Sequence, residues 1–259
     1  MNPSDLKLIV KEKYGKIALS NAGDAQSCCS TGSCCSYEGY STFNESYEHL
    51  PGYNPDADLS LGCGIPVDFA AIKPGDHVLD LGCGAGNDCF VARSLTGETG
   101  HVTGLDFTGP MLLKAEENRK KLGYSNVTFV EGDIEVMPLP ENHYDVVISN
   151  CVINLVPDKR KAFAEIMRVL KPQGHFCISD VVIKGALTDE MRSDVEAYAG
   201  CVSGAIDYSD YINLISETGF KDIRVEREKR IEVPENLTPL PSGDETGGVY
   251  SITVAGFKS

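Results

Sequence analysis

The stretch Val78-Leu79-Asp80-Leu81-Gly82-Cys83-Gly84-Ala85-Gly86 decides the fold. A short apolar run enters three glycines at alternate positions, and residues 86–95 then read as a helix. Glycine lets a backbone approach a ligand where a Cβ would collide, so strand, glycine loop and helix in that order point to a nucleotide pocket. The same periodicity continues downstream. Strands are expected at 101–106, 127–131, 144–149 and 174–180, alternating with helices at 110–122 and 159–170. Short apolar strands separated by helices predict an α/β fold, a doubly wound, mostly parallel Rossmann-like sheet covered on both faces.

Upstream, residues 3–20 predict a helix with Leu6, Ile9, Val10, Tyr14 and Ile17 on one face. Residues 21–58 lack periodicity and read as a long loop, unusual in a compact domain unless it binds something. Downstream, helices are expected at 189–198 and 208–218, a loop at 200–204, strands around 223–232 and 250–257, and an exposed loop at 234–248. The chain divides into an N-terminal helix and cysteine-bearing loop (1–70), a cofactor-binding core (71–182) and a C-terminal substrate-site and sheet-completing region (183–259).

The 259 residues suffice for a large core, and the formal net charge of -15 disfavours a nucleic-acid partner. No run of 18 apolar residues and no signal-peptide pattern occurs, so no membrane partner and a cytoplasmic location are expected. The oligomeric state stays open, a monomer included. Ten cysteines are many for a reducing compartment and direct attention to thiol, metal or metalloid chemistry.

The carboxylates narrow the ligand. Asp106 ends the second strand, 20 residues after Gly86, where it can accept hydrogen bonds from both hydroxyls of an adenosine ribose. Asp80, immediately before the loop, suits the ammonium of a methionine moiety and is a poor neighbour for a pyrophosphate. S-adenosylmethionine is therefore favoured over a dinucleotide. Asp133 is placed for the adenine amino group, with Ile134 covering the ring; a turn or cap role would account for Asp133 equally well on its own. Ser149 and Asn150, ending the fourth strand, are expected at the methyl-transfer end of the pocket.

From about Pro74 to Asp180 the chain resembles the class I S-adenosylmethionine-dependent methyltransferases, through VLDLGCGAG, GLDFT, EGDIE and NHYDVVISN. The resemblance implies that Asp80, Gly82, Gly84 and Gly86 hold the methionine portion, Asp106 the ribose, and Asp133 and Ile134 the adenine.

Three cysteines stand at loop positions: Cys63 in LGCG, Cys151 after the fourth strand, and Cys201 in GCVSG. Each alone reads first as a small buried hydrophobe. Together, three thiolates without a histidine or carboxylate favour a soft centre, whereas zinc normally takes four ligands in a closed site. Trivalent arsenic accepts three sulfurs and keeps a lone pair that can itself attack a sulfonium methyl.

Beyond the cofactor region, from Tyr14 to about Arg224, the chain resembles the arsenite methyltransferases, through Cys34-Cys35, LGCG at 61–64, ISNCVINLVPDK at 148–159, ISDVV at 178–182 and YAGCVSGA at 198–205. The resemblance implies that Cys63, Cys151 and Cys201 handle arsenic(III), the latter two as its core site. It also implies that one cysteine of the N-terminal pairs, assigned to Cys35 with Cys34 or Cys29 as substitutes, assists by disulfide exchange or delivery. Cys83 stands where that family often has serine, and Asp133 where glutamate is common, changes that preserve small size or charge.

The reaction so implied moves methyl groups from S-adenosylmethionine to thiolate-bound arsenic(III) from arsenite or methylated trivalent arsenicals, leaving S-adenosylhomocysteine. A thiol reductant such as thioredoxin or glutathione returns arsenic to the trivalent state. Cys89 and Cys177 are expected to pack rather than react. Two other readings are kept: a methyltransferase of a small organic acceptor such as a quinone or sterol precursor, and a nonenzymatic arsenite-binding thiol sensor.

Overall fold

In a computed structural model of the chain, which describes residues 2–19, 45–185, 204–232 and 247–259, β1 (His77–Leu81) is flanked by β2 (His101–Asp106) and β4 (Tyr144–Asn150). With β3 (Val127–Glu131), β5 (Leu170–Lys184), β6 (Lys221–Ile231) and β7 (Gly248–Phe257) they form a seven-stranded sheet in the order β3-β2-β1-β4-β5-β7-β6. The first five strands are parallel; β7 runs antiparallel to both β5 and β6. The chain winds one way from β1 to β3 and the other way from β4, so the carboxyl ends of β1 and β4 border the crevice of a topological switch point.

Strand periodicity sorts side chains to two cores. Leu79, Leu81 and Val147 pack with Phe163 of α4 (Lys159–Val169) and with Tyr211 and Ile215 of α5 (Tyr208–Glu217). Val78, Val146 and Ile148 pack on the other face with Phe90 of α2 (Asn87–Thr96). Phe163 meets the rings of Phe176, Tyr211 and Phe220 at centroid separations of 5.8, 5.8 and 6.5 Å, tilted or edge-on, the arrangement aromatic quadrupoles favour. Asp158 caps α4 by accepting the Lys161 N–H, and Asp207 caps α5 by accepting those of Ser209 and Asp210.

The expected α/β architecture is present, with one difference. The fifth strand reaches Lys184 rather than Asp180, because β7 pairs with it from His175 to Lys184. Strands β6 and β7 lie in the same sheet, on its antiparallel side. The edge strand β6 is mostly exposed and rich in Lys, Arg and Glu, which discourages edge-to-edge pairing. The expected helix at 189–198, most of the loop at 234–248, and Cys28, Cys29, Cys34, Cys35 and Cys201 lie outside the described residues.

Helix α1 (Pro3–Leu19) packs against α3 (Gly109–Leu122) and buries Val10. It carries Lys7, Val10 and Tyr14 into the wall of the cleft described next. No helix among the described residues is long and apolar enough to cross a membrane.

Candidate active site

The glycine loop floors a cleft at the carboxyl ends of β1, β2 and β4. Gly82 holds φ at +68°, and its N–H donates to the Leu105 carbonyl at 2.7 Å. A Cβ there would stand 2.5 Å from Val152 Cγ2, so the turn after β4 can lie on the loop only where no side chain exists. Gly84 donates its N–H to Asp106 Oδ2 at 3.0 Å, and Gly86, at the N-cap of α2, completes the turn.

Asp106 reaches this cleft from the end of β2. Thr108 N–H donates to its Oδ1 at 2.8 Å, and burial raises its pKa while these backbone donors oppose the rise. Each carboxylate oxygen keeps acceptor capacity beyond the one bond it already makes. Asp133 and Ile134 form the far wall. There Lys7 of α1 reaches Asp133 Oδ2 at 2.5 Å and Glu135 Oε2 at 2.7 Å, so α1 is tied across this end of the cleft.

At the opposite end two carboxylates behave differently. Asp80 is 2% exposed, accepts the Cys89 thiol at 3.1 Å and does not line the cleft; burial, then the neighbouring Asp88, raises its pKa well above the usual range. Asp88, in the first turn of α2, does line it. Tyr47 donates its hydroxyl to Asp88 Oδ1 at 2.8 Å, and Asn150 Nδ2 lies 3.3 Å from Oδ2. Burial pushes the Asp88 carboxyl up to about 6 while those two donors hold it down. Neither Tyr47 nor Asp88 figures among the sequence-derived site residues. An acidic residue at a helix start is common, and Tyr47 sits in the aperiodic segment, so only the fold reveals their convergence.

The cysteine end is built on Asn150 and Cys151. Cys151 takes φ +59°, the left-handed region that a side chain seldom occupies, and its N–H donates to the Ser179 carbonyl at 2.8 Å. Asn150 Oδ1 accepts the Cys63 N–H at 3.1 Å, and the Cys63 carbonyl accepts the Ser251 hydroxyl at 2.5 Å. Gly64 permits this approach, since a Cβ there would meet Ser179 Oγ at 2.7 Å. Cys63 and Cys151, separated by 88 residues, thereby enter one buried cluster with Val10, Leu155, Val181 and Ala205, and Cys151 faces the cleft. Cys83, 7% exposed, lines the glycine loop with its thiol pushed up to about 11 by burial. Cys89 and Cys177 are fully buried packing residues, with burial raising both thiols.

Beside the cluster, Tyr211 donates its hydroxyl to Asp180 Oδ2 at 3.2 Å. Burial raises Asp180 to about 7, opposed by the Val181 N–H, by Lys159 and by Tyr211. An unfolded aspartate titrates near ~3.9, so between about pH 4 and 7 the folded chain holds the extra proton and its stability falls as pH rises through that window. Asp180→Asn should therefore gain thermal stability relative to wild type as pH goes from 5 to 8. Melting curves of both proteins whose separation does not change with pH would contradict this.

A glycine loop, a carboxylate after β2 and a crevice at the switch point form a nucleotide-binding α/β site, and the methyltransferase domain family matches residues 72–230. An arsenite methyltransferase of Aquipseudomonas alcaligenes is 34% identical over 96% of this chain and 71% of its own, and one of Halobacterium salinarum is 40% identical over 86% of this chain. This chain spans 59% of the length of the Halobacterium relative. The crystal structure of an arsenic(III) S-adenosylmethionine methyltransferase from Chlamydomonas reinhardtii superposes with a TM-score of 0.67 at 39% identity, covering 76% of this chain and 67% of the other. The chain belongs to the arsenite methyltransferase family.

Proposed function

We propose that this protein transfers methyl groups from S-adenosylmethionine to trivalent arsenic held by its cysteines, starting from arsenite. The observation that carries the reading is the junction of Cys63 and Cys151 at the end of β4, where one of them opens on the cofactor cleft. The wall of that cleft fits the donor. Asp106 has acceptor capacity for the ribose, Asp133 for the adenine amino group with Ile134 against the ring, and the carboxylate-lined end suits a cationic amino group. S-adenosylmethionine supplies the methyl group. Cys151 and Cys201, with Cys63 as the third sulfur, fix the arsenic so that its lone pair is the nucleophile. The family resemblance supports that set of three and an assisting role for Cys35.

Orientation can account for about 7–11 kcal/mol of a barrier, enough for positioning to dominate where the leaving group is already good. Methylation raises arsenic from the trivalent to the pentavalent state. Two molecules of a thiol such as glutathione, or the dithiol of a thioredoxin-type partner, return two electrons and are oxidised to a disulfide. That requirement places the reaction in a reducing compartment, the cytoplasm.

Incubation of the protein with arsenite, a thiol and S-adenosylmethionine, followed by separation of arsenic species, should yield methylated arsenicals. No methylated arsenic together with transfer to a quinone-type acceptor would replace this reading by the organic-acceptor one. Asp106→Ala should weaken S-adenosylmethionine binding by roughly 1.5–3 kcal/mol, through loss of hydrogen bonds to a buried carboxylate. Calorimetry showing unchanged cofactor affinity would remove Asp106 from the ribose site.

A further inference from the structure

The methionine end of the cleft holds a carboxylate with a direct structural connection to the cysteines. Asp88 lines the cleft, and among the described residues no cation pairs with it. Asp58, the next carboxylate along that wall, adds to the negative potential, and Lys7 is engaged at the opposite end with Asp133 and Glu135. Asp80 is turned away behind the loop onto the Cys89 thiol.

The far side of the Asp88 carboxylate is tied to the loop that bears Cys63. The Tyr47 hydroxyl donates to Asp88 Oδ1 at 2.8 Å and accepts from Asn150 Nδ2 at 2.8 Å. The same Asn150 amide nitrogen donates to the Gly64 carbonyl at 2.8 Å, while its oxygen receives the Cys63 N–H at 3.1 Å. Asn150 thus holds the Cys63 N–H and the carbonyl of the next residue, Gly64, and Cys151 is its immediate chain neighbour. Tyr47 is 3% exposed, so this network has little water to exchange with.

We propose that Asp88 binds the ammonium of the cofactor's methionine moiety, and that the Asp88–Tyr47–Asn150 network transmits that contact to the Cys63 loop, so that cofactor and arsenite bind cooperatively. The proposal rests on the cofactor and substrate assignments above. Its physical basis is that a cation on the open side of Asp88 holds the carboxylate ionised and fixed. The fixed carboxylate holds Asn150 in the rotamer that clamps Cys63, chiefly through the Tyr47 hydroxyl and also through its own Oδ2, 3.3 Å from Asn150 Nδ2. Asp88 makes the contact; Tyr47 and Asn150 are positioning residues. Linkage requires the effect to be reciprocal: whatever factor the cofactor adds to arsenite affinity, arsenite adds to cofactor affinity.

Calorimetry on the full chain separates the parts. S-adenosylmethionine and 5′-methylthioadenosine, which lacks the amino-acid portion, are titrated into wild type, Asp88→Asn and Tyr47→Phe. Arsenite is titrated into wild type and Tyr47→Phe with and without saturating S-adenosylhomocysteine, which keeps the amino-acid portion but has no methyl to transfer. Asp88→Asn should lose about tenfold or more in S-adenosylmethionine affinity and stay within about twofold for methylthioadenosine. In wild type, saturating S-adenosylhomocysteine should tighten arsenite about fivefold or more, the lower range of measured couplings; in Tyr47→Phe, which keeps only the longer direct contact of Asn150 with Asp88, that factor should fall to about twofold or less. Equal losses for both nucleosides in Asp88→Asn, or coupling retained in Tyr47→Phe, would overturn the proposal while leaving the assigned function standing. Wild-type protein that binds neither nucleoside would instead overturn the cofactor assignment beneath it.

Discussion

Cys151→Ser should lower the rate of methylation of both arsenite and monomethylated arsenic by about a hundredfold or more. Cys151 lines the cofactor cleft at the end of β4, and its left-handed backbone and N–H bond to Ser179 set the direction of its side chain. Serine keeps the size and the backbone, but its oxygen is a hard donor that does not replace a thiolate on a soft centre. The arsenic is then loosely held, and a misplacement of about 1 Å already costs ~10²-fold. Cys63→Ser separates the two substrates. Methylated arsenic has one valence filled by carbon and needs two protein sulfurs, so this variant should lose activity on arsenite and keep most of it on the monomethylated form. Equal losses on both substrates in Cys63→Ser would show that Cys63 is not the third ligand. Cys177→Ser, fully buried in β5, is the control that should change stability rather than substrate preference.

The second large effect falls on the glycine loop. Gly82→Ala should weaken S-adenosylmethionine binding about a hundredfold, equivalent to about 2.7 kcal/mol. Two costs combine there. A left-handed φ is unfavourable for any residue with a Cβ by roughly 1–2 kcal/mol, and the new methyl would stand 2.5 and 2.7 Å from the two methyls of Val152 and 3.1 Å from its Cβ. Rotating Val152 does not clear a contact to its own Cβ, so the loop or the turn after β4 must move. Because Val152 follows Cys151, arsenite binding should weaken in the same variant. Gly109→Ala, in α3 where an added Cβ meets nothing within 4 Å, should bind both ligands as wild type does. Calorimetric affinity of Gly82→Ala within twofold of wild type would show that the loop does not need its close approach.

Much of this arrangement was legible in the chain itself. The short apolar run Val78–Leu81, with helical periodicity afterwards, dictates a parallel, two-faced sheet, because a strand buried on both sides must be covered by its crossovers. The glycine loop follows from its placement after the first strand. Asp106 and Asp133 follow from their placement just beyond later strands, where a doubly wound sheet presents its ligand edge. Cys63 and Cys201 stood out because they have glycine neighbours in loops, and Cys151 because it directly follows the fourth strand.

Which carboxylate turns to the cleft was decided only by the tertiary structure. Asp80 shares strand parity with Val78 and so points toward the face that α2 covers, where the Cys89 thiol receives it. The alternation was readable, but which helix would cover which face was not. Asp88, Tyr47 and Asn150 are distant in sequence and converge only when the segment carrying Tyr47 crosses the start of α2 and the end of β4. The same holds for Cys63 and Cys151. Local sequence sets a residue's preferred backbone and periodicity, whereas a hydrogen bond across 87 positions, such as Cys63 N–H to Asn150, exists only after the core has fixed both ends.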